Sequence, residues 1–180
     1  DRRGRKGSDL MLRVVVMVSG GGTNFEALIN AQENGKIPHG EIVLMVSSSR
    51  TAYALKRAEN HGIKSVVCSK KELGSQERFE EEILKNLEEN NIQLIVLAGF
   101  MSILSKEFTK KYENRIINIH PSLIPSFCGE GFYGLHVHEA ALKKGVKVTG
   151  ATVHIVNEIP DGGPIIMQRA VYVEENDTPE

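Results

Sequence analysis

Apolar residues in this chain gather into short solid runs separated by stretches with a helical period. The first run, LRVVVMV (12–18), is unbroken apart from Arg13 and ends in three glycines. A run of this kind suits a strand buried on both faces of a parallel sheet. A helix is expected at once after it, with Thr23 and Glu26 as a capping box and Phe25, Leu28 and Ile29 as its apolar stripe. EIVLMVSSS (41–49) predicts a second strand, and TAYALKRAENHG (51–62) a helix stopped by Gly62. IKSVVCS (63–69) follows as a third strand. SQERFEEEILKNLEENN (75–91) then reads as an amphipathic helix burying Phe79, Ile83, Leu84 and Leu87. IQLIVLAGF (92–100) predicts a fourth strand, 105–113 a short helix, and RIINIHP (115–121) a fifth strand.

Strand alternating with helix implies right-handed βαβ units and an open, mostly parallel, Rossmann-like α/β sheet with helices on both faces. The pattern then changes. GLHVHEAALKKG (134–145) predicts a further helix. The last two runs, either side of Pro160-Asp161-Gly162-Gly163-Pro164, predict antiparallel strands paired as a wide hairpin. Ligands of open α/β sheets sit at the carboxyl ends of the strands. Four polar or glycine-rich features fall at such ends: Gly20–Asn24, Ser47–Arg50, Gly99–Leu104 and Asn118–Pro121. One site is the economical reading.

Bulk composition narrows the class without naming a chemistry. The chain has 180 residues, 41% hydrophobic and 25% charged, with a formal net charge of −1. That balance suits one soluble domain and supplies no electrostatic footprint for nucleic acid or an anionic membrane surface. No apolar run approaches the roughly 18 residues that span a bilayer. The basic opening DRRGRKGSDL (1–10) carries no hydrophobic segment and reads as a disordered arm or expression remnant ahead of a natural start at Met11. Residues 11–180 are expected to be a single domain. Cys68 and Cys128 lack metal-type spacing; free thiols in a reducing cytoplasm are the plain reading, and a disulfide between them stays open.

The candidate chemistry lies in the strand-end features. SGGGTN (19–24) opens a helix, where free N–H groups and the macrodipole suit a phosphate. A ligand-free tight turn is the bland alternative. Dinucleotide binding fits less well, because Phe25 takes the third glycine position of G-x-G-x-x-G and no acidic residue ends the second strand. Arg50 keeps an NADP reading alive as a weak rival. No Walker lysine follows the glycines, so a monophosphate fits better than a triphosphate. Asn118 and His120, two apart on one strand face, need partners or a substrate in an apolar sheet. An amide donor with a protonatable imidazole suits the oxyanion of acyl transfer. Asp161 is either a solvated turn residue or the carboxylate that charges His120. His136, His138 and His154 raise the question of metal, but residues two apart share no helix face and no cluster completes a zinc set, so structural or substrate-side roles are preferred. Phe100, Met101, Ile103 and Leu104 read either as core or as an apolar slot for a flat heterocycle.

SGGGTNFEALI, IVLAGFMSILS, INIHPSLIPSF and TVHIVNEIPDGGPII occur in the order found in glycinamide ribonucleotide formyltransferases, which the chain resembles from about Met11 onward. The resemblance implies transfer of a formyl group from 10-formyltetrahydrofolate to the amine of glycinamide ribonucleotide, in purine synthesis in the cytoplasm, by a monomer or homodimer. Neither a metal nor a nucleic-acid or membrane partner is implied. It assigns Asn118, His120 and Asp161 to catalysis and Gly22, Thr23 and Asn24 to the ribonucleotide phosphate. To the folate it assigns Met101, Ser102, Ile103 and Leu104, with Asn157, Glu158, Ile159 and Pro160. Three departures stand out. Ser102 replaces an arginine of many members, and Cys128–Phe132 lengthen a loop near the site. The chain also stops before the C-terminal helix that members continue into, as a truncated chain would. A formyltetrahydrofolate deformylase is the nearest rival. A methionyl-tRNA formyltransferase is disfavoured by the absence of a basic balance. A non-catalytic phosphate-binding module gains if His120 is inaccessible.

Overall fold

The computed structural model describes residues 11–180; the basic arm read at 1–10 lies outside the described residues. In chain order the elements are β1 (Leu12–Val18), α1 (Thr23–Glu33), β2 (Gly40–Ser47), α2 (Ala54–Asn60), β3 (Ser65–Val67), α3 (Lys70–Leu73) and α4 (Gln76–Glu89). Then come β4 (Leu94–Leu97), α5 (Lys106–Lys111), β5 (Ile116–His120), α6 (Leu135–Lys144), β6 (Val148–Ile155) and β7 (Ile165–Tyr172). They build one seven-stranded sheet in the order β3-β2-β1-β4-β5-β6-β7. The first five strands are parallel, and β6 and β7 join antiparallel. The expected α/β architecture is present, with α3 as a turn of helix that the apolar pattern did not signal.

The solid run in β1 has a simple physical cause. Val15 and Met17 point into one core, with Phe79, Ile83 and Leu87 of α4 and Phe108 of α5. Val14, Val16 and Val18 point into a second core on the other face, with Phe25 and Ile29 of α1 and Ala54 and Ala58 of α2. A strand buried on both faces cannot alternate apolar with polar.

The chain runs β1 to β3 in one direction across the sheet and returns through β4 and β5 in the other. That reversal opens a crevice between the carboxyl ends of β1 and β4, the usual ligand position in such sheets. The capping box expected at Thr23 is absent. Gly22 is the N-cap, in the left-handed region at φ 76°, and no side chain caps the helix. Glu26 is drawn instead to α2, where it meets His61 at 2.8 Å and Arg57 at 3.4 Å.

Candidate active site

The glycine loop follows β1 at the edge of the crevice. Gly20 and Gly21 have no atom within 4 Å of where a Cβ would stand, whereas a Cβ on Gly22 would come within 2.8 Å of the Ala54 Cβ. The loop is therefore pressed onto α2 at one glycine and open at the other two. Thr23 and Asn24 are exposed at the first turn of α1. The Arg57 Nε donates to the Gly21 carbonyl at 2.8 Å, placing a guanidinium beside the loop. Arg50, the residue of the NADP rival, is taken by Glu72 in a bidentate pair of 3.0 and 2.7 Å.

At the far side of the crevice β5 and β6 pair antiparallel, so that Asn118 faces His154 and His120 faces Thr152. The Asn118 Nδ2 lies 3.2 Å from the His154 Nε2. His154 Nδ1 is 2.9 Å from the Ile155 carbonyl, which assigns the proton there, so in the neutral ring Nε2 accepts from the Asn118 amide. One N–H of that amide remains for a ligand. Asp161 reaches back between the two histidines: its Oδ1 is 3.6 Å from the His120 Nδ1 and 3.7 Å from the His154 Nε2. Its Oδ2 accepts the Gly129 N–H at 2.9 Å.

The turn that delivers Asp161 is tightly built. Asp161 has φ 53°, an uncommon conformation outside glycine. Gly163 lies so close over β6 that a Cβ there would overlap the Ile155 carbonyl. Burial by itself would raise the Asp161 carboxyl, but His154, the Gly129 N–H and the neighbouring His120 outweigh it and hold the group below its usual value. Burial would likewise depress His154, and Asp161 with the Ile155 carbonyl reverses that, raising it. The two shifts share one physical cause, the contact between this carboxylate and the His154 ring.

His120 is 3% exposed. Its Nε2 lies 2.8 Å from the Phe127 carbonyl, so the ring turns Nδ1 toward Asp161. The Ser122 hydroxyl donates to the Ser126 carbonyl at 2.6 Å, and Thr152 donates to the Ser122 carbonyl at 2.6 Å. Phe127 and Gly129 thus belong to a turn that covers both the imidazole and the carboxylate.

The residues expected at a folate slot divide. Met101 and Ile103 project outward, Ser102 is half-buried, and Leu104 is buried in the core with Phe100 packed against it. Asn157 uses its side chain to accept the Ile159 N–H, while Glu158, Ile159 and Pro160 are exposed. A cavity of about 420 Å³ lies between α5 and this loop, lined in part by Lys106, Thr109, Lys110, Val156, Asn157 and Glu158. Asn118, His120 and Asp161 are not among the residues that line it. His136 meets Glu139 at 3.2 Å, and among the described residues no three His, Cys, Asp or Glu side chains converge as metal ligands would. Both cysteines are free thiols; Cys68 is buried, and burial pushes its thiol up to about 11. Among the described residues no helix is long and apolar enough to cross a membrane.

The sequence profile of the family described as "Formyl transferase" matches residues 12–180. Phosphoribosylglycinamide formyltransferase of Haemophilus influenzae is 36% identical over 94% of this chain and 77% of its own length. The chain belongs to the formyl transferase family, among the phosphoribosylglycinamide formyltransferases. The crystal structure of phosphoribosylglycinamide formyltransferase from Bacillus halodurans superposes with a TM-score of 0.84 at 41% identity, over 93% of this chain and 83% of that one. The chicken trifunctional purine biosynthetic protein adenosine-3 is 47% identical over 94% of this chain, which spans only 16% of its length. A formyltetrahydrofolate deformylase from Pseudomonas syringae has a TM-score of 0.81 at 29% identity, with 94% of this chain and 54% of that one covered.

For a formyl transferase the arrangement brings the three expected catalytic side chains to one place and adds a fourth. From the sequence alone His154 reads only as a metal ligand or a structural or substrate-side residue. Its register opposite Asn118 makes it a member of the cluster, and period two along TVHI puts it on the same face as Thr152. Arg57 beside the glycine loop was also missed, since its position depends on how α2 packs.

Proposed function

We propose that this chain transfers the formyl group of 10-formyltetrahydrofolate to the amine of glycinamide ribonucleotide. The observation that carries the reading is the Asp161 carboxylate placed between His120 and His154 beside the Asn118 amide, in a member of this family. The ribonucleotide phosphate sits on Gly22, Thr23 and Asn24, at the N-terminus of α1. The donor lies along Met101–Leu104 and the Asn157–Pro160 loop. The substrate amine attacks the formyl carbon, a C–N bond forms, and the carbonyl π electrons move to oxygen. Asn118 and His120 hold that oxyanion, and Asp161 takes the amine's proton, directly or through water. Collapse of the intermediate breaks the bond from carbon to N10, which takes up the proton Asp161 accepted and leaves as the neutral N10–H amine of tetrahydrofolate. Donors of this kind each lower a barrier by roughly 3 kcal/mol. For His120 to meet the oxygen, the Phe127–Gly131 turn has to swing away from the imidazole.

The burial of His120 is the observation that favours a second reading, a phosphate-binding module without catalysis. Formyl transfer from 10-formyltetrahydrofolate, measured with glycinamide ribonucleotide and with water as competing acceptors, separates the possibilities. Transfer to the ribonucleotide is expected. Transfer to water alone points to a deformylase, and ribonucleotide binding without turnover points to the module.

A further inference from the structure

The loops that carry the two substrates in this reading leave the sheet side by side. β1 runs through Ser19 into the glycine loop, and β4, its parallel neighbour, runs through Gly99 into Met101–Leu104. Beyond the strand ends the regular ladder no longer fixes one loop against the other. Ser19 does so with two bonds. Its N–H donates to the Gly99 carbonyl at 3.0 Å, and its hydroxyl oxygen accepts the Met101 N–H at 2.8 Å. Ser48, just past β2, meets the same hydroxyl at 2.6 Å, which fixes the Ser19 rotamer.

The other end of the Met101–Leu104 segment has a separate anchor. Glu80 on α4, a buried carboxylate, accepts the Ser105 N–H at 2.7 Å and the Ser105 hydroxyl at 2.5 Å. Gln76, one turn earlier, donates to the Ile103 carbonyl at 3.0 Å. That anchor touches the donor-lining segment alone. Ser19 belongs to one substrate loop and holds the other.

We propose that Ser19 is a positioning residue that sets the separation of the two bound substrates. The inference rests on the formyl-transfer reading above. Attack needs the amine about 3–3.5 Å from the formyl carbon, and a misplacement of about 1 Å costs on the order of a hundredfold in rate. Removing the Ser19 hydroxyl leaves the Met101 N–H without its acceptor and lets the donor segment shift against the glycine loop. Each substrate still finds its own loop, so binding survives while the reacting atoms fall out of line.

Steady-state kinetics of Ser19→Ala with both substrates varied tests this. The expected result is a kcat lower by at least about tenfold, with each KM within about twofold of the wild type and a similar unfolding midpoint. Ser19→Thr keeps the hydroxyl and is expected to restore most of the rate. Glu80→Gln loosens the segment from its far end and is expected to raise the KM for the formyl donor while leaving that for the ribonucleotide. Should Ser19→Ala fold poorly, Ser48→Ala frees the same rotamer and is expected to lower kcat less. A normal kcat in Ser19→Ala, a loss confined to one KM, or a folded Ser19→Thr as slow as Ser19→Ala overturns the inference. So does a normal kcat in Ser48→Ala if that variant has to stand in. An active wild type with these outcomes sinks this inference alone, whereas a wild type without transfer sinks the formyl-transfer reading and this one with it.

Discussion

The carboxyl ends of β1 and β5 open onto one crevice but prepare for a ligand in opposite ways. At β1 the groups on offer are main-chain: an uncapped helix start, two glycines facing open space and a third pressed against α2. At β5 they are side chains, and Asn118, His120, His154 and Asp161 are already bonded or paired with one another or with the covering turn. Water explains the contrast. Exposed N–H groups wait for a phosphate in solvent at little cost, whereas a buried polar side chain without a partner costs about 1–3 kcal/mol. Among the described residues no buried side-chain nitrogen or oxygen lacks a hydrogen-bond partner. The side-chain end therefore fills itself, with the Phe127 carbonyl and the Gly129 N–H partnering the imidazole and the carboxylate.

The largest effects should come from breaking the side-chain end. His120→Ala and Asp161→Ala are each expected to lower formyl transfer by roughly 10²–10³-fold, and the double variant to lose little more, because the groups act as a unit. Single-turnover rates read this directly, with urea unfolding to establish that both variants fold; near-normal rates in both would remove the trio from the chemistry. The main-chain end should break differently. Gly22→Ala puts a Cβ against Ala54 at a φ that alanine resists, so about 1–2 kcal/mol of stability should be lost. The KM for the ribonucleotide should rise by about tenfold as the loop shifts off α2, with a smaller change in the rate at saturation. Gly20→Ala, with open space around it, is the contrast: its unfolding midpoint should stay near the wild-type value. If Gly22→Ala bound the ribonucleotide as well as the wild type, the main-chain cradle would have to be abandoned.

The two ends also differed in how far the sequence disclosed them. Three glycines between a solid apolar strand and an amphipathic helix point to a main-chain site with no knowledge of what packs nearby. Even there, local pattern misassigned the cap: Thr23-x-x-Glu26 has the spacing of a capping box, but Arg57 and His61 across the α1–α2 interface claim the carboxylate. At the other end, Asn118 and His120 stood out as polar groups on an apolar strand. His154 did not, since only the antiparallel register of β5 with β6 sets it opposite Asn118. Asp161 was a choice between a solvated turn and a partner for His120, decided by the backbone of Gly163 folding the turn over β6. Parallel order and element type follow from local periodicity. Partners across strands distant in sequence do not.

A gentler probe than substitution of the trio is pH, because Asp161 and His154 shift in opposite directions. The Asp161 carboxyl lies below its ordinary 3.8, so its stabilisation is present above that value and lost as pH falls through the lower folded one. His154 lies above its ordinary 6.5, so its stabilisation is full below 6.5 and lost as pH rises through the higher folded value. Together they stabilise the fold most between about 3.8 and 6.5, with losses on both sides. The difference in urea midpoint between the wild type and His154→Gln should therefore peak inside that window and shrink in acid and in alkali. A difference that stays flat across the range would mean that the Gly129 N–H, and not the His154 ring, is the partner that keeps the carboxylate charged. The side-chain end would then rest on a main-chain donor just as the glycine loop does, and the contrast between the two ends would narrow to the catalytic pair alone.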